Sequence, residues 1–193
     1  MNCLYCDKVI KHYSLYDLFI EKDLLCDTCR KELNLKIEKY NVEELKCVCL
    51  YKYDSLFKTL LLQYKECYDE ALCDVFLYKV ELLIKLKYLG YKVVYAPSSE
   101  DKRNKRGFDH LKLIFDRLGF ETVKVEKKHE YIQEGKSLNE RKQMIDNYYY
   151  DGEHIDKLLI VDDVCTTGST LLGIYKAFKC KTNAINALVL AKV

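Results

Sequence analysis

Residues 158–170 read LLIVDDVCTTGST. Leu158, Leu159, Ile160 and Val161 form a continuous apolar run, the pattern of a parallel strand covered on both faces. Asp162 and Asp163 follow at the carboxyl end of that strand. Open α/β sheets take their ligands at this edge, so the two carboxylates are expected to face a ligand and not a core. Thr166, Thr167, Gly168, Ser169 and Thr170 then supply hydroxyls, one position without a Cβ, and the unpaired amides of a helix start. An anion fits such a turn. It is not a P-loop, because no Lys follows the glycine and the acidic pair precedes the turn. A plainer reading stays open on these residues alone, a strand-to-helix connection in which Ser169 or Thr167 caps the helix.

The amino terminus carries a second pattern. Cys3-x2-Cys6 and Cys26-x2-Cys29 are two CxxC knuckles nineteen residues apart. Each knuckle sets two thiolates on one side of a turn, and two together make the four-sulfur shell of a structural zinc ion. Disulfides, a redox dithiol or buried cysteines are the other readings. No export-type segment precedes these cysteines, and a reducing compartment disfavours disulfides. With four protein ligands the metal would have no open position, so its role would be to stabilise a small element. The other six cysteines, Cys47, Cys49, Cys67, Cys73, Cys165 and Cys180, lack this spacing and are expected to be mostly small core residues.

Nearly half of the 193 residues are hydrophobic, enough to bury one main core plus a small metal module. Lys and Arg number 32 against 30 Asp and Glu, so attraction to nucleic acid or membrane would have to be local. Charges interrupt the most lipophilic stretch, residues 71–89, which argues against membrane insertion and for a cytoplasmic protein. The expected division is a four-cysteine module over residues 1–45 and an α/β domain over 46–193.

Within the second part, Lys46–Tyr53 reads as a strand and Ser55–Gln63 as a helix. Leu72, Val75, Phe76, Val80, Leu83 and Leu86 recur at helical spacing, predicting one amphipathic helix ending near Gly90. Strands are expected at 92–96, 122–125, 148–150 and 185–190, with helices at 108–118 and 169–179. This alternation predicts a doubly wound, parallel sheet flanked by helices. The loop after Ala96 groups Lys102, Arg103, Lys105 and Arg106 behind Ser98 and Ser99, either a solvated surface or an anion-binding loop. Lys65 could bind an anion, with a solvated lysine as the preferred reading, and none of the four histidines reads as a ligand.

Residues 158–170 resemble the ribose-phosphate loop of type I phosphoribosyltransferases, and the fold the resemblance implies is that of this class. It implies that Asp162 and Asp163 bond the ribose hydroxyls and that Thr166, Thr167, Gly168, Ser169 and Thr170 hold the 5-phosphate. The ligand would be 5-phosphoribosyl 1-diphosphate or a related sugar phosphate, with Mg2+ bridging its diphosphate and ribose hydroxyls. Tyr95-Ala96-Pro97-Ser98 and Arg106-Gly107-Phe108 are similar to the diphosphate loop of the ComF/ComFC competence proteins, with Asp109 and His110 in place of that family's Asn and Gln. Residues 135–147, GKSLNERKQMIDN, resemble the segment bearing the mobile loop of related transferases. Ser98, Ser99, Arg103, Arg106, Lys136 and Arg141 are the implied diphosphate contacts. A polar helix with a Ser137/Glu140 capping box is the other reading of that segment.

With its four-cysteine zinc (Zn2+) module the chain resembles the ComF/ComFC family over nearly its whole length. The resemblance implies a factor for natural transformation, acting with single-stranded DNA and other DNA-uptake proteins. An active phosphoribosyltransferase with an unidentified nucleobase or related acceptor is the alternative, and a docking module without turnover is a third. For a single strand, Lys102, Arg103, Lys105, Arg106, Lys124, Lys127 and Lys128 offer cationic groups, and Tyr148, Tyr149 and Tyr150 offer aromatic faces. Half-buried packing is the other reading of those tyrosines.

Overall fold

The computed structural model describes residues 1–10, 23–127 and 148–193. Helix α1 (Asp27–Glu32) leads into strand β1 (Leu35–Val42), which turns back as β2 (Leu45–Lys52). Then come α2 (Ser55–Glu66), α3 (Cys73–Leu77), α4 (Glu81–Lys87), β3 (Lys92–Tyr95), α5 (Glu100–Arg106) and α6 (His110–Phe115). A short antiparallel pair, β4 (Glu126–Lys127) and β5 (Tyr148–Tyr149), precedes β6 (Ile155–Cys165), α7 (Ser169–Phe178) and β7 (Thr182–Lys192).

The main sheet has the order β1-β2-β7-β6-β3. All pairs are parallel except β1 with β2. The fold is therefore α/β with a mostly parallel sheet, as the alternation of elements predicts, plus one antiparallel edge strand that periodicity does not reveal. β1 lies before the division expected at residue 45 and pairs along its length with β2. Its burial pattern explains its poor legibility: an exposed edge strand carries Lys36, Glu38 and Lys39 and no continuous apolar run.

Leu158, Leu159, Ile160 and Val161 are fully buried in β6, with β3 on one side and β7 on the other. That is the environment their composition predicts. The strand expected at 122–125 is reduced to a single parallel bridge, Thr122 with Val93, where Val93 N donates to Glu121 O and Val93 O accepts from Val123 N. Its place matters for function. After β3 the chain moves outward to Thr122, then returns to β6 on the other side of β3 and continues outward to β7. The winding reverses between β3 and β6, and a crevice opens at the carboxyl ends of two such strands.

The helix predicted from Leu72 to Gly90 is broken. Tyr78 leaves the helical region and Lys79 has φ +66°, a left-handed conformation that ends a helix, so α3 and α4 are separate. Leu72, Val75, Phe76 and Val80 are buried as the periodicity requires, but after the break the register rotates. Ile84 turns inward, and Leu83 and Leu86 are 57% and 65% exposed. Of the six unpaired cysteines, Cys47, Cys49 and Cys165 are core residues, whereas Cys67 and Cys180 are exposed and Cys73 is half-buried. Among the described residues no helix is long and apolar enough to cross a membrane.

Two substitutions separate the stripe expected from the sequence from the packing observed. Leu159→Ala in β6 is expected to cost about 2–5 kcal/mol of unfolding free energy in urea, through lost burial and a residual cavity. Leu86→Ala, on the rotated face of α4, is expected to stay within about 0.5 kcal/mol of the native chain.

Candidate functional site

Both predicted loops meet at the crevice between β3 and β6. Asp162 and Asp163 lie in the carboxyl-terminal part of β6 and Ser98 follows β3. His110, the first residue of α6, joins them. Its Nε2 lies 2.5 Å from Asp163 Oδ2, and its Nδ1 lies 3.4 Å from Ser98 Oγ. Lys65 Nζ, from the last turn of α2, also lies 2.5 Å from Asp163 Oδ2. Lys65, read from the sequence as solvated, is thus half-buried in an ion pair, and His110 is 5% exposed. Sequence reasoning missed both residues because their partner lies 98 and 53 positions away.

The acidic pair is electrostatically unequal. Burial raises Asp163, but the hydrogen bond from His110 and the Lys65 charge outweigh it and hold the carboxyl well below the usual range. Among the described residues no cation pairs with Asp162. Its Oδ1 accepts the Asp163 amide at 2.9 Å, and burial together with the Asp163 charge outweighs that bond and the Lys65 charge and pushes it up to about 7. Burial, joined by the Lys65 and Arg106 charges, pulls His110 down against the Asp163 hydrogen bond and charge, which favours the neutral ring. Tyr148 also faces this edge. Burial and the Asp162 charge raise its hydroxyl, and a hydrogen bond with Thr170 opposes them.

The turn after β6 is open. Gly168 is the residue before α7, has φ +75°, and offers no side chain to cap the helix. Neither Thr167 nor Ser169 replaces it. Thr167 Oγ1 and Ser169 Oγ bond each other at 2.8 Å, and only a long contact of 3.4 Å reaches the Ser169 amide. The plain capping arrangement is therefore absent, and the first amides of α7 remain available to an anion. Thr166 and Thr167 are exposed, while Ser169 and Thr170 are half-buried. Gly168 is required twice over, since a Cβ there would also meet Val42 Cγ1 of β1 at 2.5 Å.

The basic loop contains α5. Ser99 is its N-terminal flanking residue and Arg103 is exposed. Arg106 turns inward: it is 8% exposed, donates Nε to the Lys65 carbonyl at 3.0 Å, and lies over the Phe108 ring. Asp109 caps α6 by accepting from the Leu111 and Lys112 amides. Lys136 and Arg141 lie outside the described residues. Of the tyrosines named for stacking, Tyr150 stacks on Phe178 at 4.3 Å, whereas Tyr149 is exposed and its hydroxyl bonds Glu126.

The four amino-terminal cysteines converge. The sulfurs of Cys3, Cys6, Cys26 and Cys29 all lie within 4.8 Å of one another, with Cys6 and Cys26 at 3.6 Å. A tetrahedral zinc ion needs sulfurs about 3.8 Å apart, so the set fits and could hold such an ion. None of the ten cysteines is in a disulfide. Burial raises Cys3, but amides of Cys26, Cys6 and Tyr5 reverse this and bring it down to about 7. Burial and its three neighbours push Cys29 up. A cluster that loses its first proton easily and its last with difficulty suits a divalent cation, which removes the repulsion among the thiolates.

No protein-family model matches the chain, and no curated protein matches it. Solved structures similar to it are phosphoribosyltransferases. Adenine phosphoribosyltransferase from Saccharomyces cerevisiae is 13% identical at a TM-score of 0.40, over 86% of this chain and 89% of that one. The enzyme of the same name from Thermoanaerobacter pseudethanolicus is 17% identical at 0.40, over 85% and 99%. Hypoxanthine phosphoribosyltransferase from Staphylococcus aureus is 15% identical at 0.39. This chain spans 64% of that protein's length, and 64% of this chain is matched.

Two measurements address these groups. Asp162→Asn removes a carboxyl whose raised value makes the fold lose stability as pH climbs from about 4 to 7. The variant is therefore expected to gain on the order of 1–2 kcal/mol above pH 7, discounted for partial exposure, and to lose that gain as pH falls toward 4. For the cysteines, the native chain is expected to carry one equivalent of zinc in elemental analysis and to lose Tm with a chelator, and Cys26→Ser to lose both the zinc and that Tm.

Proposed function

We propose that this chain binds 5-phosphoribosyl 1-diphosphate, or a related sugar phosphate, at the crevice between β3 and β6. The observation that carries this reading is the meeting of the acidic pair, an uncapped glycine-led helix start and the loop after β3 at the reversal of the sheet. The parts divide the ligand by chemistry. Asp162 and Asp163 accept from vicinal sugar hydroxyls. The amides and hydroxyls of Thr166 to Thr170 surround the 5-phosphate, where the helix dipole favours negative charge. The loop of Ser98, Ser99 and Arg103 faces the diphosphate, with Lys136 and Arg141 proposed to join it and Mg2+ to neutralise it.

We further propose, from the ComF/ComFC resemblance of the sequence, that the chain serves as a cytoplasmic factor in uptake of single-stranded DNA. The zinc module of residues 1–45 would be structural, and residues 46–193 would carry the ligand site. A cationic loop beside a phosphate site supports contact with a polyanion. An active transferase is the alternative, separated by release of diphosphate in the presence of candidate bases.

The test is a thermal shift with 5-phosphoribosyl 1-diphosphate and magnesium. The native chain is expected to rise by an amount that grows with ligand concentration, and the double variant Asp162→Asn, Asp163→Asn to lose most of that rise. A flat native response would remove the ligand assignment. Binding of single-stranded DNA is expected to weaken steeply with salt, and Arg103→Ala to reduce that slope by about one.

A further inference from the structure

Asp163 is held more firmly than a hydroxyl acceptor needs to be. Lys65 Nζ and His110 Nε2 both fall on Oδ2, each at 2.5 Å, and the other oxygen takes neither. The two donors are themselves held. Arg106 Nε binds the Lys65 carbonyl at 3.0 Å, and the Tyr64 hydroxyl binds the His110 carbonyl at 2.7 Å. Among the described residues the buried Nη1 of the same guanidinium has no hydrogen-bond partner. A neutral His110 that gives its Nε2 proton to the carboxylate has a bare Nδ1, which makes Ser98 Oγ, at 3.4 Å, the donor. One ring thus links the ends of β3 and β6.

Two adjacent carboxylates on a buried strand repel each other, and the low dielectric strengthens the repulsion. A cation on one of them relieves it and leaves the other free. We propose that Lys65 and His110 are positioning residues of the ligand site. They clamp one oxygen of Asp163 so that its second oxygen and Asp162 present to the sugar, and Lys65 supplies the positive charge the pair requires. This rests on the sugar-phosphate reading above. A purely structural role would change stability alone, whereas a positioning role changes affinity in a folded protein.

The experiment compares the full chain with Lys65→Met, Lys65→Arg and His110→Gln. Titration calorimetry with 5-phosphoribosyl 1-diphosphate in excess magnesium gives affinity, circular dichroism reports folding, and carbon-13 carboxylate NMR without ligand follows Asp163. Lys65→Met is expected to weaken binding about tenfold or more, and Lys65→Arg to stay within about threefold, because it keeps the cation but not its point geometry. Asp163 should titrate at higher pH in both Lys65→Met and His110→Gln. Should Lys65→Met fail to fold, His110→Gln, which leaves Asp163 in place, carries the comparison and is expected to fold and to bind more weakly than the native chain. A native chain that binds while the folded variants bind equally well, or an Asp163 titration unmoved in both variants, overturns the positioning role alone. A native chain that binds no sugar diphosphate overturns the ligand reading, and this one with it.

Discussion

The Asp163 carboxylate lies between a lysine and a histidine delivered by two other parts of the chain, and that contact fixes the geometry of the crevice. β6 carries Asp163, α2 brings Lys65 and α6 brings His110. An ion pair this buried is not a cheap source of stability, because removing both charges from water offsets most of their attraction. What it supplies is registry. A carboxylate left without its partners would cost several kcal/mol, so α2 and α6 are constrained to reach it. The same constraint makes the two aspartates unlike: one is anchored and ionised, and its neighbour titrates near neutrality.

The turn after β6 is positioned from the opposite side. β1 and β2 form a hairpin, and Val42 at the end of β1 lies against Gly168. A left-handed glycine gives the turn its sharp entry into α7, and the missing side chain lets the hairpin approach. The antiparallel strand therefore has a place in the site, although it contributes no polar group there. Tyr148 and Tyr150 complete the surround: the first bonds Thr170, and the second stacks on Phe178 in α7. Tyr150 thus has one face committed to packing on α7, while Tyr149 stays exposed.

The parts legible from sequence were those whose signal is local. A run of four buried aliphatics, a glycine in a tight turn and two CxxC knuckles each state their environment within a dozen residues. Lys65 and His110 carry no such signal: a lysine at a helix end looks solvated until a carboxylate 98 positions away is placed beside it. Arg106 shows the converse, since a basic run reads as exposed and one member of it turns into the core to hold the Lys65 carbonyl. Helical periodicity failed after Tyr78 for a third reason. The pattern continues through the break, but one left-handed residue at Lys79 rotates everything beyond it.

Helix α2 joins the cysteine module to the crevice. Gln63 Nε2 reaches the carbonyl of Leu4, between the first two cysteines, at 3.5 Å, and Arg30 of α1 donates to the carbonyl of Val75 at 3.0 Å while pairing with Asp23. Cys3, Leu25, Cys29 and Leu33 bury their side chains in the same continuous core as Leu60, Leu61 and Tyr64 of α2. The module is thus no appendage on a tether. A metal ion closing the two knuckles would fix the surface against which α2 packs, and α2 carries Lys65 in its last turn. On the ligand reading proposed above, the four sulfurs would support the site through the helix they seat, without a part in its chemistry.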